Sequence, residues 1–185
     1  MACWLGNRET LGAFGVTQMR RAKILGNATE EFVVRLLSDR GYSASLLPTN
    51  YPTYDIHVVG TSEFFVSVKA SASKQHVRLG SRRSVERLTS DSFVFALMPK
   101  PGKKELVLCE GGYRLLIIPG DVAKNDSIAL SESYAAHRGI AGEYGYSLMV
   151  KEYSKRQHQI EIWSKWAAYE DAWATIPLAK ITVAT

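Results

Sequence analysis

The chain has 185 residues, 46% of them hydrophobic and 22% charged, with a net charge of +5. That is the size of one domain with ample apolar content for a core, so disorder is not the default. No run approaches the ~18 apolar residues of a membrane span, and Cys3 and Cys109 are too few for a disulfide framework and lack zinc-site spacing. The expectation is a single domain over residues 1–185, in a reducing cytoplasm and without a membrane partner.

Residues 1–18 carry Gly6, Gly12 and Gly15 with little periodicity and read as a poorly ordered leader. Residues 28–40 read as a helix, because Phe32, Val33, Leu36 and Leu37 form an apolar stripe at helical spacing. Asn27 or Thr29 suits its N-cap, Glu30 and Glu31 its positive end, and Gly41 the position just past its last turn. Tyr42–Leu47 reads as a short strand, followed by a turn-rich loop with Pro48 and Pro52.

Asp55–Val59 and Glu63–Lys69 are strand-like and separated only by Gly60, Thr61 and Ser62, which predicts an antiparallel hairpin. Alternation puts Phe65, Ser67 and Lys69 on one face and Phe64, Val66 and Val68 on the other. The basic stretch that follows predicts a loop and then a short helix near 82–89. Phe93–Met98 reads as a buried strand, and Leu106–Cys109 with Leu115–Ile118 as a further strand pair around Gly111 and Gly112. Pro119 to Ser127 leads at most into a short helix, and residues 131–147 read as an irregular excursion. Trp163, Trp166, Tyr169 and Trp173 recur at helical offsets within Ile160–Ile176 and predict an amphipathic C-terminal helix. Such an aromatic face belongs to a core, a subunit interface or a base-stacking surface. The order of elements predicts a mixed α/β sheet flanked by helices.

Three chemistry-bearing features recur together. Glu30 lies on the first helix, Asp55 opens a strand, and Lys69 lies fourteen residues further on the adjacent strand. The positive charge is uneven. Lys69, Lys74, Arg78, Arg82, Arg83 and Arg87 crowd one segment, Arg20, Arg21 and Lys23 another, and Lys100, Lys103 and Lys104 a third. The first of these clusters suits phosphate contact, against the competing reading of solvated surface charge.

In these residues the sequence resembles the PD-(D/E)xK nuclease superfamily, which includes many restriction endonucleases and resolvases. GNATEEFVVRLLSDRGY resembles the first helix of the resolvase-like branch, and YDIHVVGTSEFFVSVKAS its Asp-hairpin-(D/E)xK core. The likeness spans about residues 26–73. It implies a restriction-endonuclease-like mixed central β-sheet flanked by helices, hydrolysis of DNA phosphodiester bonds, and dependence on Mg²⁺ or Mn²⁺. A restriction or defence role and a homodimer are further expectations of the resemblance. Asp55 would be the central metal ligand, with Glu30 and the Val68 carbonyl as further oxygens. Lys69 would stand beside the attacking water. Lys74, Arg78, Arg82, Arg83 and Ser71 would meet the nucleic acid.

One position departs from the pattern. The acid two residues before the lysine is Ser67, a neutral and weaker ligand. Either Glu86 supplies the carboxylate from the following helix, or Glu30 (Glu31 being its neighbour and rival) suffices with Asp55. The third course is a catalytically inactive nuclease fold that only binds DNA or a protein. His57, His76, His137 and His158 form no metal-binding pair, and neither nucleotide-binding glycine loops nor a GxSxG elbow occurs.

Overall fold

A computed structural model describes residues 16–71, 76–139, 145–149 and 165–179. Its centre is a five-stranded mixed sheet in the order β1-β2-β3-β5-β6. The strands are β1 (Ser43–Leu46), β2 (Ile56–Val59), β3 (Glu63–Ala70), β5 (Ser92–Pro99) and β6 (Tyr113–Pro119). Two shorter strands, β4 (His76–Gly80) and β7 (Tyr146–Met149), pair separately. The helices are α1 (Val16–Ser38), α2 (Arg82–Glu86) and α3 (Gly120–Arg138).

The hairpin forms as its alternation predicts. β2 and β3 are antiparallel, with Ile56 opposite Val66 and Val58 opposite Phe64. β3 and β5 run parallel, placing Ser67 beside Val94 and Lys69 beside Ala96. A parallel pair requires a crossover, and β4 with α2 provides it. All eight residues of β5 are buried, as expected of a strand covered on both faces.

Each face of the sheet has its own apolar layer. Val33 and Leu37 of α1 join Ile56, Val58, Phe64, Val66, Val68, Phe95 and Leu97 on one side. On the other, Val94, Ala96, Met98, Leu116 and Ile118 meet Val77 and Leu79 of β4, Val85 of α2 and Ala123 and Leu130 of α3. Burying each large side chain contributes about 1.5–3 kcal/mol of transfer free energy.

Several expectations are corrected. The first helix begins at Val16, so Arg20, Arg21 and Lys23 lie within it, as do residues 16–18 of the expected leader. Residues 1–15 lie outside the described residues. Asn27 and Thr29 therefore cap nothing; Thr29 is buried mid-helix and donates its hydroxyl hydrogen to the Leu25 carbonyl at 2.6 Å. Glycine costs a helix interior about 1 kcal/mol, a penalty at Gly26 that the packed Val33–Leu37 face outweighs. The helix end is as read. Gly41 takes φ +84°, its N–H meets the Ser38 carbonyl at 2.9 Å, and the Tyr42 N–H meets Leu37 at 3.1 Å, which is the Schellman closure.

The basic stretch contains a strand, β4, where a loop was expected. Val77 and Leu79 are buried and Arg78 is exposed between them. Leu106–Cys109 forms no strand, and β6 pairs with β5 instead, Ala96 opposite Leu116. α3 runs unbroken to Arg138 where an irregular excursion was expected, its buried face built from Ala123, Ser127, Leu130, Ser131 and Ala135. Small side chains at helical spacing let α3 lie close to the sheet.

The C-terminal helix is likewise corrected. One helical turn at 165–167 and a 3-10 turn at Trp173–Thr175 flank an extended passage. Ile117 N–H donates to the Tyr169 carbonyl and Asp171 N–H to Leu115, both at 2.9 Å, so this segment covers the outer edge of β6. Asp171 takes φ +49°, which stops any helix there. Trp166 enters the α3-side layer, fully buried, while Trp173 packs edge-on against Phe95 in the other. These aromatics are core, which removes the base-stacking and interface readings from Trp166; Trp163 lies outside the described residues.

Candidate active site

The loop between β1 and β2 sets the site. Thr53 takes φ +76°, an outlying conformation for a β-branched residue. Ser67 holds it there: its hydroxyl, on a residue only 2% exposed, donates to the Thr53 carbonyl at 2.8 Å. Two residues later the Asp55 N–H donates to the Val66 carbonyl and the Asp55 carbonyl accepts from Leu47 N–H, both at 2.9 Å. Asp55 is thus fixed where β2 begins, opposite the continuing strand β3.

Its carboxylate turns onto β3. Oδ2 accepts the Val68 N–H at 2.6 Å and lies 3.5 Å from Lys69 Nζ. The Ser67 hydroxyl is also 3.5 Å from Oδ2, too long for a strong O–H···O bond. The Asp55 and Lys69 side chains are each 24% exposed, so the pair is partly shielded yet reachable. Every contact of this carboxylate among the described residues falls on Oδ2; Oδ1 takes none.

Glu30, half-buried on α1, lies in the field of this pair. Burial, first, holds its carboxyl above the usual carboxylate range, and the negative Asp55 adds to that. Lys69 pulls it partly back, and Glu31 raises it slightly. Glu31 itself is exposed on the next position of the helix. In a strand the N–H and C=O of one residue point to the same side, so the Val68 carbonyl faces the same space as the N–H that meets Asp55.

The other expected residues are distributed differently. Glu86 is exposed on α2 and paired with Arg82 Nε at 2.6 Å. Among the described residues no group of three or more His, Cys, Asp or Glu side chains could hold a metal ion. Arg78 is exposed on β4, and Arg82 and Arg83 on α2. Ser71 is buried at the end of β3, where its N–H meets the Leu97 carbonyl at 2.9 Å. Lys74 lies outside the described residues, and only the backbone of His76 is described, in β4. His57 turns to Glu63, 3.3 Å away, and lies against the Phe65 ring. Thr53 was missed by sequence reasoning, because nothing in PTNYPTY marks a threonine for the left-handed region.

The donor set suits a hard divalent cation in kind. Two carboxylates lie within each other's field and a backbone carbonyl faces the side of β3 that Asp55 meets, which is the oxygen chemistry Mg²⁺ and Mn²⁺ take. It is a two-acid set completed by neutral oxygens, not three acids.

No family model matches the chain, and no curated protein matches it. Among solved structures, a bacterial homing endonuclease matches 82% of this chain and 90% of its own at 17% identity, with a TM-score of 0.47. A likeness at that score carries no weight, and the site's own geometry must speak for its chemistry. Among the described residues no helix is long and apolar enough to cross a membrane.

Proposed function

We propose that the chain is a divalent-metal-dependent endodeoxyribonuclease of PD-(D/E)xK type, hydrolysing DNA phosphodiester bonds beside Asp55 and Lys69. The observation that carries this reading is the convergence of the Asp55 carboxylate and the Lys69 ammonium, 3.5 Å apart at the start of β2, with half-buried Glu30 in the same field. Such a cluster is costly to assemble for stability alone, because the acids repel and are partly desolvated.

Asp55 and Glu30, with the Val68 carbonyl, would hold Mg²⁺ or Mn²⁺, a group that neutralises phosphate charge and acidifies bound water. The chain's own residues then have separate tasks. The Val68 N–H holds Asp55 through Oδ2, leaving Oδ1 without a contact among the described residues. Lys69, already fixed by Asp55, presents its ammonium to a non-bridging oxygen of the scissile phosphate and stabilises charge as it develops. Ser67 is no ligand in this scheme; it clamps Thr53 and thereby the approach to Asp55. Arg78, Arg82 and Arg83 supply sequence-independent backbone contacts.

The test is cleavage of supercoiled plasmid with Mg²⁺ or Mn²⁺. Wild type should nick or linearise it, and Asp55→Ala and Lys69→Ala should each lose on the order of 100-fold or more in rate. Undiminished cleavage by both variants would refute the site. Linear product formed without accumulation of the nicked circle would further call for paired subunits, each cutting one strand.

Ser67 favours a second reading, a nuclease fold that binds DNA without cutting it, because the acid of the motif is replaced by a hydroxyl committed to Thr53. That reading expects salt-sensitive binding and no cleavage with any divalent ion.

A further inference from the structure

On the face of the β2–β3 hairpin that carries Ser67, an open cleft is walled by Tyr51, Pro52, Tyr54, Phe65, Arg87 and Asp91. Phe65 is its floor. Tyr54 stacks on it with centroids 5.2 Å apart, and Tyr51 lies nearly parallel to it, at 15° and 6.3 Å. The two tyrosines differ in what holds them. Tyr54 is tethered, its hydroxyl donating to the Arg87 carbonyl at 2.6 Å, and it packs against the core. Tyr51 is 43% exposed, and among the described residues its hydroxyl takes no hydrogen bond. A core aromatic is not presented in that way.

The cleft shares strand β3 and the β1–β2 loop with the candidate active site. Phe65 and Lys69 share a face of β3, four residues and therefore roughly 13 Å apart. Tyr51 belongs to the loop that delivers Asp55. A strand whose phosphate lies at Lys69 would pass this cleft within a few nucleotides. A planar, apolar ring partly open to solvent is the surface on which an unpaired base stacks. Arg87 on the wall has the charge to meet the phosphate of such a nucleotide, and Asp91, on the same wall, the charge to repel it.

We propose that this cleft holds one unpaired base of the DNA strand, stacked on Tyr51 and backed by Phe65, at a fixed distance from the scissile phosphate. The inference rests on the endonuclease reading above and adds a base-holding position to it.

The experiment uses the full chain, without added divalent metal, and a single-stranded oligodeoxynucleotide carrying 2-aminopurine at successive positions. Quenching should be confined to one position. Tyr51→Ala should abolish that quenching and weaken binding about 5- to 150-fold, whereas Tyr51→Trp should keep both. An abasic residue at the quenched position should weaken wild type by a similar factor and leave Tyr51→Ala unaffected. If wild type cuts plasmid but quenching is independent of position, or the abasic residue weakens both proteins equally, the base-holding cleft is wrong and the nuclease reading stands. If wild type neither binds the oligodeoxynucleotide nor cuts plasmid, both are wrong together.

Discussion

Ser67 offers the sharpest test of the site, because its two readings predict opposite results. Ser67→Ala deletes a hydroxyl that is 2% exposed and donates to the Thr53 carbonyl at 2.8 Å. A shielded carbonyl left without its donor costs about 1–3 kcal/mol. The strain at Thr53, itself on the order of 1–3 kcal/mol, would relax as the loop shifts, offsetting part of that cost and carrying Asp55 with it. A net loss of about 1 kcal/mol lowers Tm by about 2–4 °C in a domain of this size. Thermal denaturation followed by circular dichroism measures this, and plasmid cleavage measures the displacement of Asp55, which should slow the rate at unchanged DNA affinity. Ser67→Glu should do worse. It places a second carboxylate in a closed position, with the native hydroxyl only 3.5 Å from Asp55 Oδ2, and like charges so placed cannot both ionise freely. Cleavage by Ser67→Ala at the wild-type rate would refute the clamp, as would faster cleavage by Ser67→Glu, which would instead mark a decayed metal ligand.

Three further outcomes are expected. Asp55→Asn keeps an acceptor for the Val68 N–H but removes the charge, so the fold and DNA affinity should survive while cleavage falls at least about 100-fold; chelation by EDTA should mimic it, and added Mg²⁺ or Mn²⁺ should restore wild type only. Arg83→Ala, on exposed α2, should weaken binding to all DNA sequences alike and reduce the slope of log affinity against log salt by about 1 in a salt titration. Trp166→Phe removes the indole N–H that donates to Asp126 Oδ2 at 2.9 Å in a fully buried position, and urea denaturation should show a loss of about 1–3 kcal/mol.

Legibility followed the range of the forces involved. The hairpin was visible because period-2 alternation and a three-residue connection are local and strongly constraining, and they placed Asp55 against Lys69 without further information. The end of α1 was visible for the same reason, since a positive φ at Gly41 is a local demand. The start of α1 was not, because Gly26, Asn27 and Thr29 resemble a boundary, and the packing that carries the helix across them is tertiary. β4 was hidden by its charges: its alternation matters only once α2 and α3 bury Val77 and Leu79. The aromatic C-terminal series misled because offsets of three suit a helix, whereas these side chains serve two different layers around the rim of the sheet. Thr53 left no trace at all, since its strain is imposed by a partner fourteen residues away.

The end of the described chain reaches back to its beginning. The Leu178 carbonyl accepts from the Thr61 N–H at 2.7 Å, close against Gly60, and the Pro177 carbonyl accepts from the Tyr42 hydroxyl at 2.7 Å, a separation of 135 residues. The first hairpin is therefore synthesised well before the residues that brace it, Pro177 and Leu178. Closures this distant slow folding, and a nascent chain stalled before residue 165 would present β6 as an open template for pairing with its neighbours.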